Sequence, residues 1–156
     1  MQKNYEENGM QAIDNAEFEE TLSLVIELPR EYFTDTALEN LKRLIKSKGS
    51  LIKKALMVTD LPLEISDETV RFPWFANGLD AESVKAYTQL ISALSEMAKT
   101  NQRVSTVEKS VENEKYAFRC FLLRLGFIGE EYKCSRKVLL KNLEGNSSFK
   151  SLEARE

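Results

Sequence analysis

Lys133, Lys137 and Lys141 are spaced four residues apart, so on a helix they would form one ridge, with Arg136 beside it. A second basic set, Lys42, Arg43, Lys46, Lys53 and Lys54, falls opposite an apolar stripe of helical period. Cations arrayed along a helix face can neutralise phosphates or an acidic protein surface, so nucleic acid or a protein partner is the ligand class these residues could serve. The same spacing describes an ordinary solvated lysine face, which is the commoner use of it.

The residue types needed for other chemistry are missing or badly placed. Histidine is absent, which removes the commonest general base, the commonest zinc ligand and every Ser–His or Cys–His pair. The two cysteines, Cys120 and Cys134, are too few for a structural zinc site and read as free thiols. Acidic clusters such as Glu17, Glu19 and Glu20, or Asp67 and Glu68, lie in a strand lead-in and a turn with no histidine or third ligand to complete a site. Gly126 and Gly129 do not make a phosphate loop, because Glu130-Glu131 follow at once and would repel an anion at that helix start. The expectation is a protein that is not an enzyme and uses no cofactor or metal.

The elements that must carry these faces can be read from periodicity. With 156 residues, 42% hydrophobic and 30% charged, the chain suits one domain with its own core. No apolar run approaches the ~18 residues of a membrane span, and the polar, acidic start does not resemble a signal peptide. No membrane contact and a cytoplasmic location are therefore expected. The net charge of −3 is unevenly spread: residues 1–40 hold ten acids and two bases, and 42–54 hold six bases and no acid. Residues 1–17 read as a flexible acidic lead-in, 18–145 as the domain and 146–156 as a polar tail.

Within the domain, Leu22, Leu24, Ile26 and Leu28 alternate with Ser23, Val25 and Glu27, predicting a half-buried strand stopped by Pro29. Thr36 and Glu39 have capping-box spacing. Leu38, Leu41, Ile45, Ile52, Ala55 and Leu56 keep helical phase across Gly49 and favour one helix to Leu56; a break at Lys48-Gly49 with a new cap at Ser50 is the alternative. Leu63 and Ile65, then Val70, Phe72 and Trp74, predict a hairpin about the turn 66–69, closed by Asn77-Gly78. Asp80 opens a helix with Val84, Tyr87, Leu90, Ile91, Leu94, Met97 and Ala98 on one face. Ser105 and Glu108 suggest a second capping box, opening a helix that runs to Leu125 with or without a break near Asn113. Phe118, Phe121, Leu122 and Leu125 on one side, and Tyr116, Cys120 and Leu123 on the other, mark that helix as central. Gly126 ends it, and a last helix is expected over 130–143.

The blocks RLGFIGEEYK and RKVLLKNLEGNSSF, with ALENLKRLIKSKGSLIKKAL upstream, resemble a family of small uncharacterised proteins of Firmicutes, often on mobile elements and sometimes labelled virulence-related. The resemblance implies a bacterial, mobile-element setting and carries no activity, cofactor or catalytic set. The fold expected is α+β: a small antiparallel sheet of a strand and a hairpin on about four helices, ending in a helix-turn-helix-like pair. The function expected is an accessory binding protein contacting nucleic acid or a protein through its basic faces. The alternative is an antagonist of a host defence nuclease, using the acidic N-terminal face as a nucleic-acid mimic. Trp74, Phe75 and the flank of the 84–98 helix would be dimer contacts if exposed.

Overall fold

Alternation along the strand segments places every second side chain on one face, and the sheet follows from it. The computed structural model describes residues 24–75, 79–101 and 104–146. The acidic lead-in, the 18–23 part of the first strand, the Asn77-Gly78 turn and the tail beyond Asn146 lie outside the described residues. The elements run β1 (Ile26–Pro29), a 3-10 turn (Arg30–Tyr32), α1 (Asp35–Ser47), α2 (Gly49–Leu56), β2 (Glu64–Ile65), β3 (Thr69–Phe72), α3 (Ala81–Thr100), α4 (Glu114–Leu125), a second 3-10 turn (Glu130–Tyr132) and α5 (Lys133–Leu140). This is the expected α+β architecture.

The sheet is antiparallel, in the order β1-β3-β2. Val70 and Phe72 of β3 point inward and are fully buried. Arg71 between them points outward, where its guanidinium meets Glu27 of β1 at 3.2 Å and Glu64 of β2 at 3.3 Å. Pro29 ends an edge strand, where its missing N–H costs no ladder bond. An aromatic chain joins the sheet to α3: Phe72 meets Trp74 edge-on, Trp74 meets Phe75, and Phe75 stacks on Tyr87 at 5.0 Å. Trp74 and Phe75 are buried, so they are core and not dimer contacts.

Several boundaries differ from the sequence expectation. The cap of α1 is Thr34, whose hydroxyl accepts from the Ala37 N–H at 3.0 Å; Thr36 sits inside the first turn. Buried Phe33 and Leu38 occupy the two positions of a hydrophobic staple about Thr34, which selects the earlier threonine. The helix breaks at Lys48 (φ −111°, ψ 10°), although the burial phase continues through Leu51, Ile52, Ala55 and Leu56. The break frees the Ser50 N–H, and Glu108 accepts from it at 2.7 Å. That contact also removes the expected capping box at 105–108: Ser105 instead accepts from the Val107 N–H, and the chain stays non-helical until Asn113 caps α4. The last helix is shorter than 130–143, with a 3-10 turn before it and Leu143 buried beyond it.

The central helix is α3, not α4. It carries eight buried positions, including Ala86, Leu90, Leu94 and Ala98, and packs against α1, α5 and α4. Tyr116, Cys120 and Leu123 of α4 are only half-buried. Cys120 and Cys134 are free thiols.

Helix ends in this fold are closed by amides from elsewhere. The last carbonyls of a helix have no partner within it. Buried Asn40 of α1 donates to Ala98 O at 3.1 Å and Asn101 O at 2.8 Å, closing the end of α3. Asn142 donates to Ala55 O at 3.0 Å, closing α2. Asn113 accepts from the N–H groups of Tyr116 and Asn146, each at 3.1 Å. Gly145 has φ +108°, and a Cβ there would collide with the Asn113 amide. Replacing Asn40 with Ala strips a buried carbonyl of its donor and is expected to lower the unfolding free energy by about 1–3 kcal/mol, read from urea denaturation.

Candidate functional site

The α5 ridge exists as a surface feature. Lys133, Lys137 and Lys141 are exposed, while Ser135, Leu139 and Leu140 face inward. None of the ion pairs among the described residues involves the three lysines. Lys141 lies within the field of Asp80, whose carboxyl is held below its ordinary range chiefly by the bond it accepts from the Ser83 backbone N–H. Arg136 does not belong to the ridge. Its guanidinium donates to Phe127 O at 2.8 Å and Gly129 O at 3.1 Å, so it braces the turn between α4 and α5. In that turn Gly126 is left-handed and ends α4, while Phe127 is buried. The connection from 126 to 132 is longer than the three- or four-residue turn of a DNA-reading helix-turn-helix.

The second basic face is divided. Lys42 pairs with Glu39 at 3.4 Å. Lys54 pairs with Glu114 of α4, which holds its ammonium above the usual lysine range. Arg43 and Lys46 are exposed on α1, and Lys53 is half-buried on α2. Arg43 and Lys46 are thus the exposed members of this set that take part in none of the ion pairs among the described residues.

The fold also assembles a basic cluster that the sequence reading missed. Lys48 at the α1–α2 break, Lys109 in the 104–113 segment and Arg124 at the end of α4 line the same two hollows, of about 580 and 550 Å³. Lys48 Nζ lies 5.2 Å from the centroid of the Phe121 ring and Arg124 Cζ lies 5.6 Å from it. The Lys48 ammonium is pushed below its ordinary range, first by burial, then by repulsion from Arg124 and Lys109, with Glu108 opposing. One signal was present: Lys48 sits three residues after Ile45 and four before Ile52, on the apolar stripe itself. A lysine in that phase lays its stem along the apolar surface and sends its ammonium to the edge of it.

Among the described residues no group of three or more Cys, Asp or Glu side chains is placed to hold a metal ion, and no helix is long and apolar enough to cross a membrane. Comparison with protein families, curated proteins and solved structures returned no match to this chain.

Two outcomes separate scaffold from surface. Arg136→Ala is expected to lower stability by about 1–2 kcal/mol in urea titration, because two carbonyls lose a charged donor, whereas Lys133→Gln, Lys137→Gln and Lys141→Gln each change it by less than about 0.5 kcal/mol. Lys48 behaves the opposite way to Arg136. Its folded-state pKa is depressed, so between that value and the unfolded one the unfolded chain binds more protons, and stability rises with pH through this window. Lys48→Met, which keeps an apolar stem of similar length, should raise the urea midpoint at pH 7. That gain should shrink as the pH climbs past the range where the folded lysine discharges.

Proposed function

We propose that this chain is a non-enzymatic accessory binding protein that works in the cytoplasm, in the mobile-element setting its sequence resemblance implies, and contacts nucleic acid through the α5 ridge. The observation that carries this reading is the ridge itself: Lys133, Lys137 and Lys141 are exposed on one helix and hold no carboxylate among the described residues. Lys42 and Lys54 are committed to Glu39 and Glu114, and Arg136 to the neighbouring turn. The two basic faces are thereby ranked, with α5 first and Arg43 and Lys46 of α1 as secondary contacts. Recognition by such a face is backbone-directed. Phosphate contacts set affinity and position, and carry no base information.

A gel-shift titration of duplex DNA across a salt series tests the proposal. Binding should be measurable at about 50 mM salt and fall steeply as salt rises, because each neutralised phosphate releases counterion. The triple variant Lys133→Gln, Lys137→Gln, Lys141→Gln should weaken binding and flatten the slope of log K against log salt by about three. No binding at low salt, or an unchanged slope in the triple variant, would sink the reading.

A further inference from the structure

We propose that the cleft between the 104–113 segment and the ends of α1 and α4 binds a small phosphate monoester, its phosphate held by Lys48, Lys109 and Arg124 and its apolar body resting against Val107 and Val111. The site is distinct from the α5 ridge, whose lysines line neither hollow.

Three cations from three separate elements meet at this cleft, and a fold does not gain stability by gathering like charges. Coulomb repulsion among them opposes the arrangement, and the burial of Lys48 adds to it. Two nearby acids, Glu108 and Glu112, offset the three cations only in part. Glu108 opposes the repulsion at Lys48 while its carboxylate also accepts from the Ser50 N–H at 2.7 Å, and Glu112, which lines the outer hollow, has an interaction of its own. None of the ion pairs among the described residues includes Lys48, Lys109 or Arg124. An arrangement that costs stability, gathers more cations than carboxylates and leaves those cations without a direct ion pair among the described residues is the expected form of a site preorganised for an anion.

The geometry narrows the ligand. The two hollows adjoin through the same three cations, and each falls within the size range of small-molecule pockets. A phosphate dianion offers three acceptor oxygens, one for each cation, and the planar guanidinium of Arg124 can take two of them in parallel. A monocarboxylate would leave most of the positive charge unanswered. The apolar part of the ligand is called for by the rim. Val107 is 68% exposed and Val111 38% exposed, one on each hollow. Phe121 forms the floor between Lys48 and Arg124, and Leu44 and Met97 line the inner hollow. Bare phosphate would use the cations and leave these surfaces wet.

Calorimetric titration of the full chain with AMP, with inorganic phosphate and with a short single-stranded oligonucleotide, all at about 50 mM salt, tests the proposal. AMP should bind with one site per chain and a dissociation constant below about 1 mM, and inorganic phosphate at least about tenfold more weakly, since it has no aromatic base face to rest against the valines. Lys48→Met and Arg124→Gln should each weaken AMP about tenfold or more, while Lys48→Met keeps or raises the urea midpoint, which separates lost binding from lost folding. The α5 triple Gln variant should bind AMP as the parent does, so this site and the nucleic-acid ridge can fail independently. The proposal is overturned if AMP shows no binding at millimolar concentration, or if the α5 variant loses AMP as strongly as Lys48→Met. It is equally overturned if the oligonucleotide alone binds and does so through Lys48 and Arg124, because the phosphate would then belong to a nucleic-acid backbone.

Discussion

Everything in this fold is arranged around the need to cover α3 on more than one side. Its buried positions include Ser83, Ala86, Tyr87, Leu90, Ile91, Leu94 and Ala98, an arc too wide for a single neighbour to fill. α1 and α5 flank it, α4 packs beside it, and the Phe72–Trp74–Phe75–Tyr87 chain brings the sheet to its first turns. Small residues such as Ala86, Ser95 and Ala98 are fully or almost fully buried, which lets the neighbouring backbones approach closely. Once α3 is enclosed, its final carbonyls are enclosed too, and Asn40 must satisfy them.

That solution recurs and shapes the candidate sites. Asn40, Asn113, Asn142 and Glu108 each satisfy the end of a helix other than by its own continuation, and three of the four bridge segments more than 50 residues apart. With Asn101 tied to Asn40 and Asn113 tied to the start of α4, residues 104–112 pass the ends of α1 and α4 as non-helical chain. Buried Val104 and the Glu108–Ser50 contact hold it against them. Lys109 is thereby delivered to the side of the molecule where Lys48 and Arg124 already stand.

Local rules served well where the deciding contact was local. Asp80 caps α3 as its spacing with Ser83 requires, at 2.8 Å; Gly126 ends α4 in the left-handed conformation; and the alternation of Val70, Arg71 and Phe72 placed the hairpin. They failed where two local solutions of similar free energy competed. Thr34 and Thr36 are both acceptable caps, and the staple of Phe33 with Leu38 chose between them. Ser105 with Glu108 is a sound capping box in isolation, but the Ser50 N–H offered Glu108 a partner 58 residues away. A cap contributes only about 1 kcal/mol, so one tertiary hydrogen bond is enough to redirect it.

The α5 ridge was legible because four-residue spacing and an inward Leu139-Leu140 pair define a face without reference to the rest of the chain. Arg136 was not separable from it, since only folding brings the Phe127 and Gly129 carbonyls within its reach. The sequence by itself determined most element types, most of the apolar faces and the α+β class, because periodicity, capping residues and turn glycines act over a few residues. Tertiary structure decided which helix is central, where α1 gives way to α2, and that Lys48, Lys109 and Arg124 share one cleft. Those outcomes depend on burial and on hydrogen bonds between distant segments, whose strength comes from excluded water that no local pattern records.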